Sequence, residues 1–458
     1  MEIKITCRES IKPSLPTPQE HKKHKLCLFD VYQLNTYFPL ILFYHKGSSD
    51  ILTQLKKSLS EALTIFYPLA GRKSSDDPFS INCNDEGAIY IESTIVNITI
   101  EEFLNPPKLE LLNELLPCEP NKTHPNHEVL PQLVIQANTF KCGGIAVAMC
   151  NLHTLLDASS CITFLKTWFA ISRGSAEEIS FPNFSSAPSL FPPRVNTSGL
   201  MRSGVLNLGR DIEIETLCTT RRFLFDFKAM NELISKAALG NNGRMMNTNP
   251  TRYQAVSSFI CKHMIMSCMK EEDKNRPVVV LHVVDMRRRM GEPFTQNSIG
   301  NLLWPAVMLC ENVKKDTEIS ELVKVSKGGI GKVTKELLVR VQKDEGFWWS
   351  DECGKLMLEE VVNKDPVSFL FTSWCDMGFK ELDFGLGKPL WLAQKGGNSE
   401  TIPNTVVFMD TKDGMEAWIS MRPQHIATLE NDVDFLKFAL LNPTGSILLN
   451  NIHLFMVK

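Results

Sequence analysis

His153 and Asp157, within NLHTLLDASS (residues 151–160), are the pair in this sequence best placed by type and spacing to do chemistry. A neutral imidazole can take a proton near pH 7, and a carboxylate four residues on could orient the ring. The bare spacing is weak support. With ten histidines in the chain, a His-x-x-x-Asp pair is expected about half a time by accident. The weight falls on what surrounds it.

Before the pair runs GGIAVAMC, an apolar stretch that reads as a buried strand. With the preceding PQLVIQANTF (131–140) and the turn KCGG, it forms a strand hairpin. After the pair, ASSCITFLKTWFAIS places Ile162, Leu165, Trp168 and Phe169 at helical spacing, with Asp157 in the N-cap position. His153 is thus expected on a turn between a buried strand and a helix, where side chains are commonly presented to a cleft. A core histidine satisfied by backbone groups is the alternative.

Cys150 and Cys161 flank the motif and raise a covalent acyl-cysteine route. Both stand in apolar runs, where burial raises a thiol's pKa and makes it inert. The thirteen cysteines contain no Cys-x-x-Cys and no zinc-like spacing, so no metal is expected. GLGKP at 385–389 lacks the second half of a phosphate-binding loop.

The elements that must hold such a site make up a large chain. At 458 residues, two domains are the natural expectation. Apolar residues at 43% and charged residues at 22% suit a globular protein, and a net charge of −3 without a basic stripe argues against nucleic acid. Charges in MEIKITCRES leave no room for the apolar core of a secretion signal, and no window approaches a membrane span of about 18 apolar residues. Free thiols and the missing signal point to the cytoplasm. Residues 51–67 read as an amphipathic helix and 174–215, rich in Pro, Ser and Asn, as a connecting segment. A helix is expected at 249–270, strands at 276–289, 366–375 and 414–421, and a closing helix at 423–441. Helices and strands mix without strict alternation, which predicts mixed α/β layers.

Several stretches together carry a resemblance. HTLLDASSCITFLKTW, YPLAGR (67–72), VVDMRRR (283–289) and DFGLGKP (383–389) are similar, in this order, to the signatures of the plant BAHD acyl-CoA-dependent acyltransferases. SLPTP, YPLAGR and SWC resemble the branch that contains vinorine synthase and salutaridinol acetyltransferase. Two positions depart from the pattern: Ala158 stands where the family has glycine after the aspartate, and Leu386 where it has tryptophan.

The resemblance implies two chloramphenicol-acetyltransferase-like domains with a solvent channel between them. The first would comprise residues 1–195 plus about 383–407, the second 215–382 plus about 408–458, with 196–214 as the crossing linker. It implies His153 as general base, moving an acetyl group from acetyl-CoA to a hydroxyl of an alkaloid or terpenoid, directly and without a resident cofactor. Asp157 would pair with Arg287, while Asp383, Gly385 and Gly387 would be structural. Ser373, Trp374 and Arg422 are candidates for the channel wall. Arg422, if it reached the channel, could grip the carboxylate of malonyl-CoA. It reads more simply as a solvated arginine at a strand end, and acetyl-CoA is the donor expected. A malonyl-CoA-dependent O- or N-acyltransferase and a catalytically decayed binding protein are the alternatives. The family also implies a monomer.

Overall fold

The computed structural model describes residues 1–193, 216–239, 249–269, 276–343 and 366–444, apart from positions 32, 46, 48–49, 120–121, 123, 125–127 and 311–312. The expected linker at 196–214 and the tail from 445 lie outside the described residues.

Two sheets organise the chain. In the first, the strands run in the spatial order Ile3–Ile11, Ala88–Ile95, Leu133–Phe140, Ile145–Leu152, Tyr37–Tyr44 and Trp391–Ala393. Its hairpin forms as expected, Leu133–Phe140 against Ile145–Leu152. Ile145–Leu152 is flanked on both edges and buried at all eight positions, which explains a continuous apolar run instead of alternation. The helices Ile51–Ile65 and Ala158–Arg173 pack together. Trp168, fully buried, donates from Nε1 to the Leu55 carbonyl (3.2 Å) and Ser58 Oγ (3.1 Å).

The second sheet has the order Leu303–Cys310, Val278–Asp285, Val367–Ser373, Thr405–Asp410, Gly414–Met421, Thr216–Asp226 and Gly397–Thr401. Val367–Ser373 runs parallel to both neighbours; the other pairings are antiparallel. The helices Phe227–Ala238, Arg252–Cys268, Ile319–Gly331 and Pro423–Glu430 share an apolar core with it.

Three expectations change. The strand expected over 276–289 stops at Asp285, and Arg287 opens a short helix, Arg287–Met290. The closing helix expected over 423–441 breaks after Glu430. Asp432 starts a new turn there by accepting the N–H groups of Asp434 and Phe435, and Leu440–Leu441 joins the second sheet. The return to the first sheet, expected over 383–407, is also shorter. Trp391–Ala393 pairs with Tyr37–Tyr44, but Gly397–Thr401 already pairs with Thr216–Asp226.

A further apolar cluster joins the halves: Cys27, Leu28 and Phe29 with Ala187 and Phe191 meet Met286, Met290, Leu302 and Trp304. The ends of Ile145–Leu152 and Val367–Ser373 and the start of Leu303–Cys310 converge beside it.

Candidate active site

His153 is the first residue past Ile145–Leu152. Its backbone N–H donates to the Thr36 carbonyl (2.9 Å), tying the turn to the approach of the neighbouring strand. Its Nδ1 lies 2.9 Å from Asn301 Oδ1. The Asn301 amide nitrogen donates to Asp30 Oδ1 (2.9 Å) and to the His153 carbonyl (2.8 Å), groups that can only accept. That fixes the amide: its oxygen must face Nδ1, so Nδ1 carries the ring proton. Nε2 keeps its lone pair. Burial holds the His153 pKa below the usual 6.5, against the opposing pull of the nearby Asp157 charge and the Asn301 hydrogen bond. This is a neutral imidazole in its basic tautomer.

Asp30 completes the support. It is 2% exposed, and its Oδ1 also accepts the Asn301 N–H (2.7 Å) while Oδ2 accepts the Cys27 N–H (2.8 Å). Burial pushes its pKa up to about 6 despite these bonds.

Asp157 faces away from this arrangement. Oδ1 caps the helix by accepting from Ser160 N (2.8 Å) and also takes Arg287 Nη2 (3.1 Å). Oδ2 takes Arg287 Nη1 (2.8 Å) and Leu302 N (3.1 Å). Four donors saturate the carboxylate, leaving nothing for the imidazole. Both side chains of the pair are fully buried. Arg287 spends its other donors on the carbonyls of Ser298 and Gly300, on Ser160 Oγ and on Asp285. The bridge therefore fastens the 157–160 turn to the 298–302 segment that carries Asn301.

His153 opens onto a cavity of about 300 Å³ walled by both sheets. Phe38 and His153 come from the first half of the chain; Leu281, Thr372, Ser373, Trp374 and Val407 come from the second. Phe38 sets its ring against the imidazole with centroids 5.6 Å apart and an interplanar angle of 82°, and also touches Trp374. Of the channel candidates, Ser373 and Trp374 lie in the wall. Arg422 does not. It stands at the N-terminus of Pro423–Glu430, because the strand Gly414–Met421 ends before it and Pro423 turns the chain into a helix.

Cys150 and Cys161 are fully buried, and burial drives both thiols far above their normal pKa, which disfavours a thiolate nucleophile. Ala158 lines the cavity as the first residue of its helix. The residues of positive φ do not include it, so the backbone there does not need glycine.

Asp383, Gly385 and Gly387 form a separate loop. Asp383 Oδ1 accepts the N–H groups of Gly385 (2.7 Å) and Gly387 (2.8 Å), whose φ values of 109° and 82° favour glycine. Phe384 packs on Tyr44 and Phe169, and Leu386 approaches Gly47. None of residues 383–387 lines the cavity.

Sequence reasoning missed Asn301, Asp30 and Lys395, the last also in the cavity wall. For Asp30 and Lys395 the available signal was a lone charge in an apolar setting, as in LCLFDV and WLAQKGG, while the uncharged Asn301 offered none.

Comparison with known proteins places this architecture. Residues 1–436 match the Transferase family. The chain is 34% identical to akuammiline synthase 2 of Alstonia scholaris, covering 97% of this chain and 98% of that one. It is 32% identical to the limonoid 7-O-acetyltransferase of Citrus sinensis over 97% of this chain and 99% of that one. Among solved structures, vinorine synthase superposes with a TM-score of 0.77 at 29% identity, covering 95% of this chain and 98% of that one. The chain belongs to the Transferase family, the BAHD acyltransferases of plant specialised metabolism. It is an acyl-CoA-dependent O-acyltransferase of mixed α/β fold. No helix among the described residues is long and apolar enough to cross a membrane.

Proposed function

We propose that this enzyme moves an acetyl group from acetyl-CoA to a hydroxyl of an alkaloid or terpenoid, with His153 as general base and both substrates bound together. The observation that carries the reading is the His153 tautomer: Nδ1–H held by Asn301 leaves Nε2 as a free base in a ring that opens on the cavity between the sheets. The thioester is already activated, so the protein must chiefly position the alcohol and remove its proton. Nε2 takes that proton as the alcohol oxygen forms its bond to the thioester carbonyl carbon. The tetrahedral intermediate collapses by breaking the C–S bond, and the departing thiolate recovers the proton, giving an O-acetyl ester and free CoA. Such a base contributes about 10²–10⁴-fold.

Acetyl as the donor is supported by relatives that carry acetyltransferase in their names and by Arg422 standing off the cavity wall. No resident cofactor enters the reading. Incubation with acetyl-CoA and a panel of alkaloid and terpenoid alcohols should release free CoA and form an ester with at least one of them, and His153→Ala should slow both about 10²–10⁴-fold. CoA release within a few-fold of the wild-type rate in His153→Ala would reject the base assignment.

A further inference from the structure

We propose that Lys395 is the anchor for a carboxylate on a substrate, and that the acceptor of this enzyme is a hydroxy acid. The inference rests on the acyltransferase reading and names the substrate class of the same cavity. Lys395 lies in the short crossing between Ala393, the end of a first-sheet strand, and Gly397, the start of a second-sheet strand. Its residue lines the cavity that contains His153, yet it is 4% exposed, and its Nζ has no hydrogen-bond partner among the described residues.

A buried ammonium without a partner is costly, because a charge leaves water and gains nothing in exchange. Burial accordingly pulls the Lys395 pKa down to about 7. Its neighbours do not offset this. Cys218 is a buried thiol whose own pKa burial raises to about 11, so it is neutral, and Arg422, which acts on that thiol, brings positive charge only. Ser399 faces Cys218 across the strand pair, and its Oγ is likewise buried without a hydrogen-bond partner among the described residues. Thr401, two residues further along the same strand face, lines the cavity, as does Ser420. A cation and a hydroxyl, both unanswered, thus stand beside a wall of further hydroxyls. An anionic oxygen pair from a ligand is the chemistry that satisfies such a group. A carboxylate there would hold the molecule by one end while its alcohol meets His153.

Two sources could supply that carboxylate, the acceptor or a dicarboxylic acyl donor, and calorimetry on the full chain separates them. Each titration is made without turnover, and acceptors are added without acyl-CoA. Yohimbic acid is compared with its methyl ester yohimbine, and ursolic acid with methyl ursolate. Malonyl-CoA is compared with acetyl-CoA. At least one acid should bind tenfold or more tighter than its ester, and Lys395→Met should erase the difference. A Lys395-dependent preference for malonyl-CoA instead would keep the anchor and overturn the hydroxy-acid acceptor. The anchor itself is overturned if neither acid outbinds its ester and malonyl-CoA does not outbind acetyl-CoA, or if a preference survives Lys395→Met. Lys395→Gln replaces the methionine if that variant does not fold. Binding of acids with no CoA release from any alcohol would fault the proposed reaction and spare the anchor.

Discussion

At residues 157–160 and again at residues 383–387, an aspartate accepts two backbone N–H groups and an arginine closes the local structure. Arg287 grips the Asp157 carboxylate; Arg173 donates to the Asp383 carbonyl. The difference lies in what each joins and how deeply. Asp157 is 1% exposed and binds groups 130 and 145 residues away, including the segment that orients His153. Asp383 is partly exposed and serves its own loop, two and four residues on. Similar local grammar therefore yields a cross-chain brace in one place and a self-contained turn in the other. Burial and sequence separation decide which.

Breaking the first region at its base should give the largest effect. His153→Ala removes the free Nε2 while leaving the Asp157–Arg287 brace intact, so kcat/KM should fall about 10²–10⁴-fold, while the loss of the Asn301 hydrogen bond costs only about 1–3 kcal/mol of stability. Steady-state kinetics alongside thermal melting checks it, and activity within a few-fold of wild type would refute the assignment.

Next comes the brace. Asp157→Asn leaves Arg287 buried with its main counter-charge gone, and should cost about 3–5 kcal/mol in denaturant unfolding. If the variant instead folds with full stability and merely loses activity, Asp157 acts on the imidazole after all. Asp383→Ala is the matched test in the second region. It strands two N–H groups in a loop that water can reach, and should cost about 1–2 kcal/mol, with activity per folded molecule retained.

How much of this contrast could be read from the chain alone depends on distance in sequence. The strand 145–152, the helix behind it and the capping aspartate are local matters of apolar spacing, and they form as expected. His153 was visible because its strand and helix announce the turn. Asn301 and Asp30 were not, because SIGNLLWP and LCLFDV carry no spacing that signals catalysis; only folding brings them 148 and 271 residues across the chain to their partners. Lys395 was hidden for the same reason. The short crossing between the two sheets brings its cation to the cavity of His153. The break after Glu430 was missed because apolar spacing continues through it, while a single aspartate restarts the helix.

The pH profile sharpens the picture of the first region. Protonating Nε2 removes the base, so kcat/KM should fall on acidification. Because burial lowers the His153 pKa, the acid limb should lie below the ordinary 6.5. Stability shifts in the same direction. His24 and His282 are also buried, with pKa values pulled down to about 4 and about 3. The unfolded chain takes up protons on these histidines near pH 6.5 that the folded state refuses, so their contribution to stability is full above that value and declines as pH falls below it. An acid limb at or above 6.5 would contradict the neutral, desolvated imidazole.

The smallest expected effect belongs to Ala158→Gly, which restores the glycine of the family pattern. Ala158 opens its helix with an ordinary right-handed backbone, so the glycine's access to positive φ brings no relief. Glycine here should only add freedom to the unfolded chain and lower helix propensity, costing about 0.5–1 kcal/mol. Its missing methyl would enlarge the cavity wall beside His153 slightly, which bears on which acceptor fits and leaves proton transfer untouched. The expected outcome is a small loss in unfolding free energy, with kcat/KM for acetyl-CoA within a few-fold of wild type. A variant that is more stable than wild type would mean that Ala158 strains the turn. A tenfold gain in kcat/KM would mean that the methyl obstructs the approach to His153, and the first region would then owe its rate to space as well as to the base.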